Sequence, residues 1–472
     1  MKGILTILIG FVFISSSFGQ KTQMACPDTV KMVYVNQIYL KGNKITHSKI
    51  VYRELALKAG DSLCLRDFEK ALVKSKENLQ NTSLFNFVEV RNVQVEDKDK
   101  IFANIHIDLT ERWYIWPMPL FELAERNPNA WWESKDLSKL NYGMFFTWEN
   151  FRGRREALKI IAQGGYDEKL GFYYDIPFIN RKQTLGIILS AGLTRNHEVT
   201  YQTIQNRPVR YRDEKYARHQ YYASIALNIR KNIHTSHAFI FGYNNHQYSD
   251  IVFELNPEFD PNQQNEFNYF SFSYIFKDDH RDNKNYALNG YFIEAELEKQ
   301  GIGINKYSNV DVLSLTASLR RYWNLGNNWY VGSGFTGRIA STGQNPYFLN
   351  TGLGYHREFV RGYEHYVIDG ENYALFKTDL KYAVFQNQIS NIKLLPSKFA
   401  KIHWSVYLSL FADAAYSTTE LPQLTNTLQN STLYGYGAGL NIVTYYDMVF
   451  RFEYSINKRN ESGLYVSFMS SF

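Results

Sequence analysis

Only one stretch of this chain is long and continuously apolar, Ile4 to Ile14, directly after Lys2. It falls well short of the ~20 residues that a membrane-spanning helix needs. A Ser-rich stretch and Phe18-Gly19-Gln20 follow it. The segment therefore reads as a secretory signal peptide over residues 1–19, with 20–29 a short N-terminal segment. The absence of any other such run excludes the helical membrane classes. Cysteine is scarce: Cys26 and Cys64 are the only two. That rules out a disulfide scaffold and any Cys-based zinc spacing. In an oxidising periplasm the two can pair; two separate thiols are the alternative. Catalytic signatures are missing as well. There is no Gly-x-Ser-x-Gly and no His-Glu-x-x-His, and Gly332-Ser333-Gly334 is a small-residue strand segment. Asp278-Asp279-His280-Arg281-Asp282 is the best metal-like cluster, and a turn with self-paired charges explains it. No enzyme activity, metal or cofactor is expected. Charge of one sign is lacking too: 52 basic against 46 acidic residues give a net +6, scattered along the chain. No nucleic-acid partner follows from it.

What the chain has in plenty is aromatic residues and alternation. Aromatics make up 16% of it, with 36 Tyr and 33 Phe, although the mean hydropathy is only −0.38. The tail shows the pattern most clearly. Leu464, Val466, Phe468 and Phe472 fall on one face; Gly463, Tyr465, Ser467, Met469 and Ser471 fall on the other. A soluble domain seldom ends on a strand with so apolar a face, because a bare edge invites aggregation. A closed barrel removes the edge by pairing last strand with first, and an outward apolar face then suits a bilayer.

The chain uses two kinds of pattern. Residues 30–112 read as a compact α/β unit in the order strand, helix, helix, strand, strand. Val33 to Leu40 forms the first strand, closed by Gly42-Asn43. Thr46 caps a short helix with Ile50, Val51 and Leu55, and Leu65 to Leu79 is amphipathic. From Trp113 to Phe472 alternating segments recur, separated by polar turns. In Met448 to Ile456, residues Met448, Phe450, Phe452 and Tyr454 oppose Val449, Arg451, Glu453 and Ser455. About sixteen such strands are expected, an even number that permits antiparallel closure. They start near Trp113, Lys139, Arg155, Lys169, Thr184, Arg218, Ser236, Phe267, Asn289, Ser308, Asn328, Glu371, Ile402, Thr432, Tyr446 and Ser462. The fold class is thus a transmembrane antiparallel β-barrel with an N-terminal periplasmic α/β domain.

One interstrand segment is unusually long, Asn345 to Gly370, and contains Val360-Arg361-Gly362-Tyr363. In the next strand Asp379 shares the polar face with Lys377 and Lys381. In the strand after that, Asp413 shares a face with His403, Ser405, Tyr407 and Ser409. Both carboxylates should point into the lumen. If the loop folds inward, Arg361 can form charge-assisted hydrogen bonds with one or both, and Gly362 lets the backbone turn at the tip.

Val360-Arg361-Gly362-Tyr363, Phe411-Ala412-Asp413-Ala414, the Phe-terminated tail and the preceding α/β unit together resemble the BamA/TamA outer-membrane superfamily (bacterial surface antigen family). Gly42-Asn43, Arg53-Glu54-Leu55, Gly60-Asp61, Leu84-Phe85 and Val88 resemble a POTRA pattern. Asn150-Phe151-Arg152-Gly153 and Arg281-Asp282 add to the likeness. The chain departs from the family in having room for only one POTRA, and Asp379 stands where many relatives carry Glu. The resemblance implies a POTRA domain in the periplasm, a sixteen-strand barrel in the outer membrane of a Gram-negative bacterium, and an Arg-Gly-aromatic loop folded into the lumen. It implies an assembly factor that binds unfolded outer-membrane or secreted polypeptides and inserts or translocates them. A dedicated secretion transporter is the alternative, and a passive pore ranks third. Periplasmic chaperones or accessory lipoproteins are the further partners to expect. The first strand carries Pro117 and Pro119, which cannot donate to a ladder. The last carries Gly463, a bend, and ends on Phe472. The seam between them is expected to be a lateral gate.

Overall fold

The structure, a computed structural model, describes residues 32–97, 100–123, 139–302, 310–341, 343, 345–355, 358–391, 401–420, 424–444 and 448–469. The signal-peptide segment, Cys26 and Phe472 lie outside the described residues. The N-terminal domain runs β1 (Met32–Lys41), α1 (Ser48–Glu54), β2 (Ser62–Cys64), α2 (Leu65–Gln80), β3 (Phe85–Asp97) and β4 (Lys100–Glu111). Its sheet has the order β2-β1-β4-β3, with β1 and β4 parallel. In β4 every second residue is apolar and buried: Ile101, Ala103, Ile105, Ile107 and Leu109. That alternation gives the sheet one apolar face, and the helices cover it. Phe68 and Leu79, on one stripe of α2, are fully buried against it with Ile50 and Val51 of α1.

Two sequence expectations for this domain are corrected. Strand β2 was not anticipated, because three residues carry no readable period. Thr46 does not cap α1: the N-cap is His47, and no side chain caps the helix. Thr46 is instead buried where the domain meets the barrel. Its hydroxyl lies 3.1 Å from the Tyr114 hydroxyl and accepts from Asn150 Nδ2 at 2.9 Å.

The rest of the described chain is dominated by one sixteen-strand sheet. Its strands are β5 (Ile115–Leu123), β6 (Leu140–Phe151), β7 (Glu156–Gly165), β8 (Asp167–Ile176), β9 (Leu185–Asn196), β12 (Arg218–Ile229), β13 (Thr235–Tyr248), β14 (Glu266–Asp279), β15 (Gly290–Ile302), β16 (Val312–Gly326), β17 (Trp329–Ala340), β18 (Asn372–Asn391), β19 (Lys401–Thr418), β20 (Thr432–Thr444), β21 (Met448–Asn457) and β22 (Ser462–Met469). The sequence-derived starting points agree closely; the largest offset is Ser308 against Val312. A hairpin, β10 (Glu198–Ile204) with β11 (Arg207–Arg212), and a short helix, α3 (Ile251–Leu255), lie in loops and were missed. Both sit between segments that already alternate, so nothing in the periodicity marks them off.

The distribution of polarity is that of a barrel in lipid. Outward positions are apolar and exposed, as with Tyr221, Ile225 and Leu227 on β12 and Phe239 and Phe241 on β13. Lumen positions are polar and buried, as with Ser405, Ser409 and Asp413 on β19, Asn441 on β20 and Ser455 on β21. Among the described residues no helix is long and apolar enough to cross a membrane. The N-terminal domain sits at the end of the barrel where β5 begins, the periplasmic end. The loop between β17 and β18 descends into the lumen from the other end.

Candidate functional site

The tip of that long loop is built by local chemistry. The Tyr363 N–H donates to the Val360 carbonyl at 3.1 Å, closing a turn over Arg361 and Gly362. Gly362 has φ +96°, a left-handed conformation that a side chain would strain. Val360 and Tyr363 are each 1% exposed and join Leu353, Ile368, Leu375, Ala415 and Leu433 in an apolar cluster that seats the loop on the barrel wall. Arg361 is thereby carried into the lumen without having to bury its own stem alone.

All five N–H groups of the guanidinium find acceptors. Nε and Nη2 form a fork on Asp413, at 2.9 and 2.6 Å. Nη1 donates to Asp379 Oδ1 at 2.7 Å and to Glu453 Oε1 at 3.3 Å. Nη2 also reaches the Thr378 carbonyl at 3.3 Å. The Arg361 backbone N–H donates to Asp413 Oδ2 at 3.1 Å. The guanidinium lies 3.9 Å from the centre of the Phe411 ring. The loop thus ties β18, β19 and β21 together through one side chain. Sequence parity singled out Asp379 and Asp413. It did not pair Glu453 with the arginine, although Glu453 stands on the polar face of its strand.

Two glycines make the seat. A Cβ on Gly435 of β20 would lie 1.9 Å from the Arg361 carbonyl oxygen, and one on Gly437 would meet Tyr454 backbone at 2.0 Å and the Phe411 ring at 2.8 Å. No local signal marks Gly435, because the atom that excludes a side chain there belongs to a loop distant in sequence. Beyond Arg361 the loop grips the hairpin of β21 and β22. Asn457 Nδ2 donates to the Gly362 carbonyl at 2.9 Å, the Lys458 N–H to the Tyr363 hydroxyl at 3.3 Å, and the Tyr366 hydroxyl to Glu461 at 2.8 Å.

The fifteen neighbouring strand pairs of the sheet are joined by antiparallel ladders, but the sheet's two ends are β5 and β22. Among the described residues no ladder joins them. Chemistry on β5 accounts for part of this. The Glu149 N–H donates to the Tyr114 carbonyl at 2.7 Å, so even-numbered residues direct their backbone groups toward β6. Odd-numbered residues, Pro117 and Pro119 among them, direct theirs toward the seam, where proline supplies no N–H. Gly463 is not a bend. It pairs with Ser455 in an unbroken register and keeps an ordinary φ.

The domain and the barrel meet around one buried acid. Glu54, at the end of α1, accepts from Arg230 at 2.9 and 3.0 Å and from Arg155 Nη1 at 3.4 Å. Burial raises its pKa, but the guanidinium groups of Arg230 and Arg155 outweigh that and hold the carboxyl below its ordinary value. Arg53 stacks 4.0 Å over the Phe178 ring. The His47 N–H donates to the Gly153 carbonyl at 2.9 Å, and a Cβ on Gly153 would lie 2.1 Å from the Ile45 carbonyl oxygen. Asn81 Nδ2 reaches the Asp282 carbonyl at 3.1 Å. The motifs Asn150 to Gly153 and Arg281-Asp282 therefore occupy periplasmic turns under the domain. Arg281 is paired with Asp279, and His280 with Asp278. Among the described residues no group of His, Cys, Asp and Glu is arranged to hold a metal. Cys64 is disulfide-bonded, with Cys26 beyond the described residues.

A periplasmic α/β domain, a sixteen-strand transmembrane barrel and a loop locked in its lumen define the POTRA-and-barrel class of outer-membrane protein. Residues 33–112 match the POTRA family, described as a surface antigen variable number repeat. Two solved structures share the fold. BamA from Haemophilus ducreyi lacking POTRA domains 1-3 is 14% identical, over 92% of this chain and 83% of that one, with TM-score 0.50. CdiB from Escherichia coli is 10% identical, over 92% and 75%, with TM-score 0.52. No curated protein matches the sequence. The fold is shared with both solved structures.

Proposed function

We propose that this protein is an outer-membrane assembly factor that binds unfolded polypeptide through its POTRA domain and inserts or translocates it at the seam between β5 and β22. The observation that carries this reading is where strand edges lie that no ladder covers among the described residues. Strand β3 forms one edge of the POTRA sheet, and β5 and β22 flank the seam. An extended incoming chain can add to such an edge through backbone hydrogen bonds, which demand no particular sequence. The lumen, in contrast, is occupied by the Arg361 loop and faced by the docked POTRA domain, which disfavours a passive pore. The chemistry involved is recognition and transfer; no bond is made or broken.

A dedicated polypeptide-secretion transporter is the second reading, favoured by the match to CdiB. Crosslinking in the membrane from positions flanking β5 and β22, followed by identification of the trapped chains, separates the two. Many different barrel precursors are expected for an assembly factor and one secreted protein for a transporter. No trapped polypeptide at either strand overturns both.

A further inference from the structure

We propose that Arg321 holds the phosphodiester group of a periplasmic-leaflet phospholipid against the outer wall of the barrel. Along β16 the outward positions are Leu313, Leu315, Leu319, Trp323 and Leu325, and Arg321 shares their parity. Its neighbour Arg320 faces the other way, 5.4 Å from the Phe292 ring. Arg321 is exposed on a surface that is otherwise built for lipid.

Its height on that wall is set by aromatic residues. The turn at Asn327 and Asn328 joins β16 to β17 at the periplasmic end. Trp323, Trp329 and Tyr382 lie nearest that turn and face outward; the Trp329 and Tyr382 rings are 4.9 Å apart. Such a belt marks the level of the lipid headgroups. Arg321 lies one pleat further from the turn than Trp323, on the bilayer side of the belt. A guanidinium at that level is short of water, and the groups available to it from the bilayer are phosphate oxygens.

The protein leaves that charge without an acid. Arg321 makes no ion pair with any described residue. Among the described residues, the other outward-facing arginine and lysine of the spanning strands, Arg195 and Lys299, lie at the opposite end and pair with Glu168 and Asp311. Asp278, the carboxylate beside Tyr291, accepts from the Tyr291 hydroxyl at 3.2 Å and Thr235 at 3.0 Å and meets His280 at 3.3 Å. What flanks Arg321 is aromatic. Its Cζ lies 5.8 Å from the Tyr291 ring and 5.9 Å from the Trp323 ring. Beyond Tyr291 the rings of His280 and His234 continue the stack, at 4.6 and 4.0 Å. The rings hold the planar cation in place and leave its N–H fork free, and that fork matches two oxygens of a phosphodiester.

The test counts phospholipid on the full-length protein. Wild type, Arg321→Gln and Arg195→Gln are purified in detergent, washed free of loose lipid and weighed by native mass spectrometry. They are then incubated with vesicles of phosphatidylglycerol and phosphatidylethanolamine and weighed again. Wild type and Arg195→Gln are expected to keep a phospholipid through the wash that Arg321→Gln loses at least tenfold more readily, with Arg321→Lys between them. Equal retention by wild type and Arg321→Gln overturns the proposal. So does a wild type that retains no phospholipid at all, an outcome that does not depend on any variant folding.

Discussion

Replacing Arg361 by Ala removes the one side chain that joins the lumen loop to β18, β19 and β21. The loss is larger than that of an ordinary hydrogen bond. Asp413 is left with a fully buried carboxylate whose fork partner is gone, and Asp379 loses its contact at 2.7 Å. Breaking a buried ion pair from one side costs about 3–5 kcal/mol, because the remaining charge is uncompensated. Asp413→Ala is expected to cost a similar amount, since it strips the guanidinium of its two shortest contacts to that acid and of the backbone contact as well. Once Arg361 is gone, however, removing Asp413 relieves a buried charge left with Lys377 alone, 3.9 Å away. The double variant should therefore lose much less than the sum, with a coupling energy of at least about 2 kcal/mol. Arg361→Lys is expected to recover only part of the loss, because an ammonium cannot fork on Asp413 while reaching Asp379 and Glu453. Urea unfolding in lipid vesicles, followed by the mobility difference between folded and heated barrel on gels, measures wild type and all four variants. A coupling below about 0.5 kcal/mol would refute the account, since contacting residues in one network couple above that level. Single-channel conductance reads the same lock independently: a low signal in wild type and a raised, fluctuating one in Arg361→Ala.

Gly435→Ala is expected to raise conductance much as Arg361→Ala does, because its methyl group would occupy the place of the Arg361 carbonyl; unchanged conductance contradicts the seating described. Glu54→Ala should weaken POTRA docking by about 2–5 kcal/mol, read as faster proteolysis of the linker near Arg112. The same contact sets a pH dependence. The folded pKa of Glu54 lies below its ordinary 4.5, so its contribution is complete above pH 4.5 and is lost only as the pH falls through that lower value. Protease protection of wild type that fades already between pH 7 and pH 5 argues against it. A disulfide engineered between β5 and β22 should abolish polypeptide transfer and a reductant should restore it; full activity in a completely crosslinked sample excludes opening at the seam. Alkylation with and without reductant is expected to label Cys26 and Cys64 only after reduction.

The alternation in segments such as Tyr221 to Ile229 and Met448 to Ile456 was enough to give strand number, order and facing, because a strand's side-chain period is a local property of the backbone. For the same reason Asp379 and Asp413 could be assigned to the lumen from parity alone, and Pro117 and Pro119 to a row lacking donors. Which neighbour that row faces required the bond from Glu149 to Tyr114, since parity fixes the side-chain face and not the direction of the N–H groups. Strand β2 and the hairpin of β10 and β11 were not legible, being too short or too similar to what surrounds them. Thr46 carried a local capping signal that burial against Tyr114 and Asn150 overrode.

By itself, then, the sequence determined that this chain alternates into a lipid-facing barrel, preceded by an α/β domain, with an arginine loop long enough to enter the lumen. Tertiary structure alone decided that Glu453 and Phe411 complete the arginine's site, that Gly435 must be bare, and that Glu54 meets Arg155 and Arg230. Those pairings join residues far apart in the chain, and nothing in a residue's local pattern says which distant atom the closed barrel will bring against it.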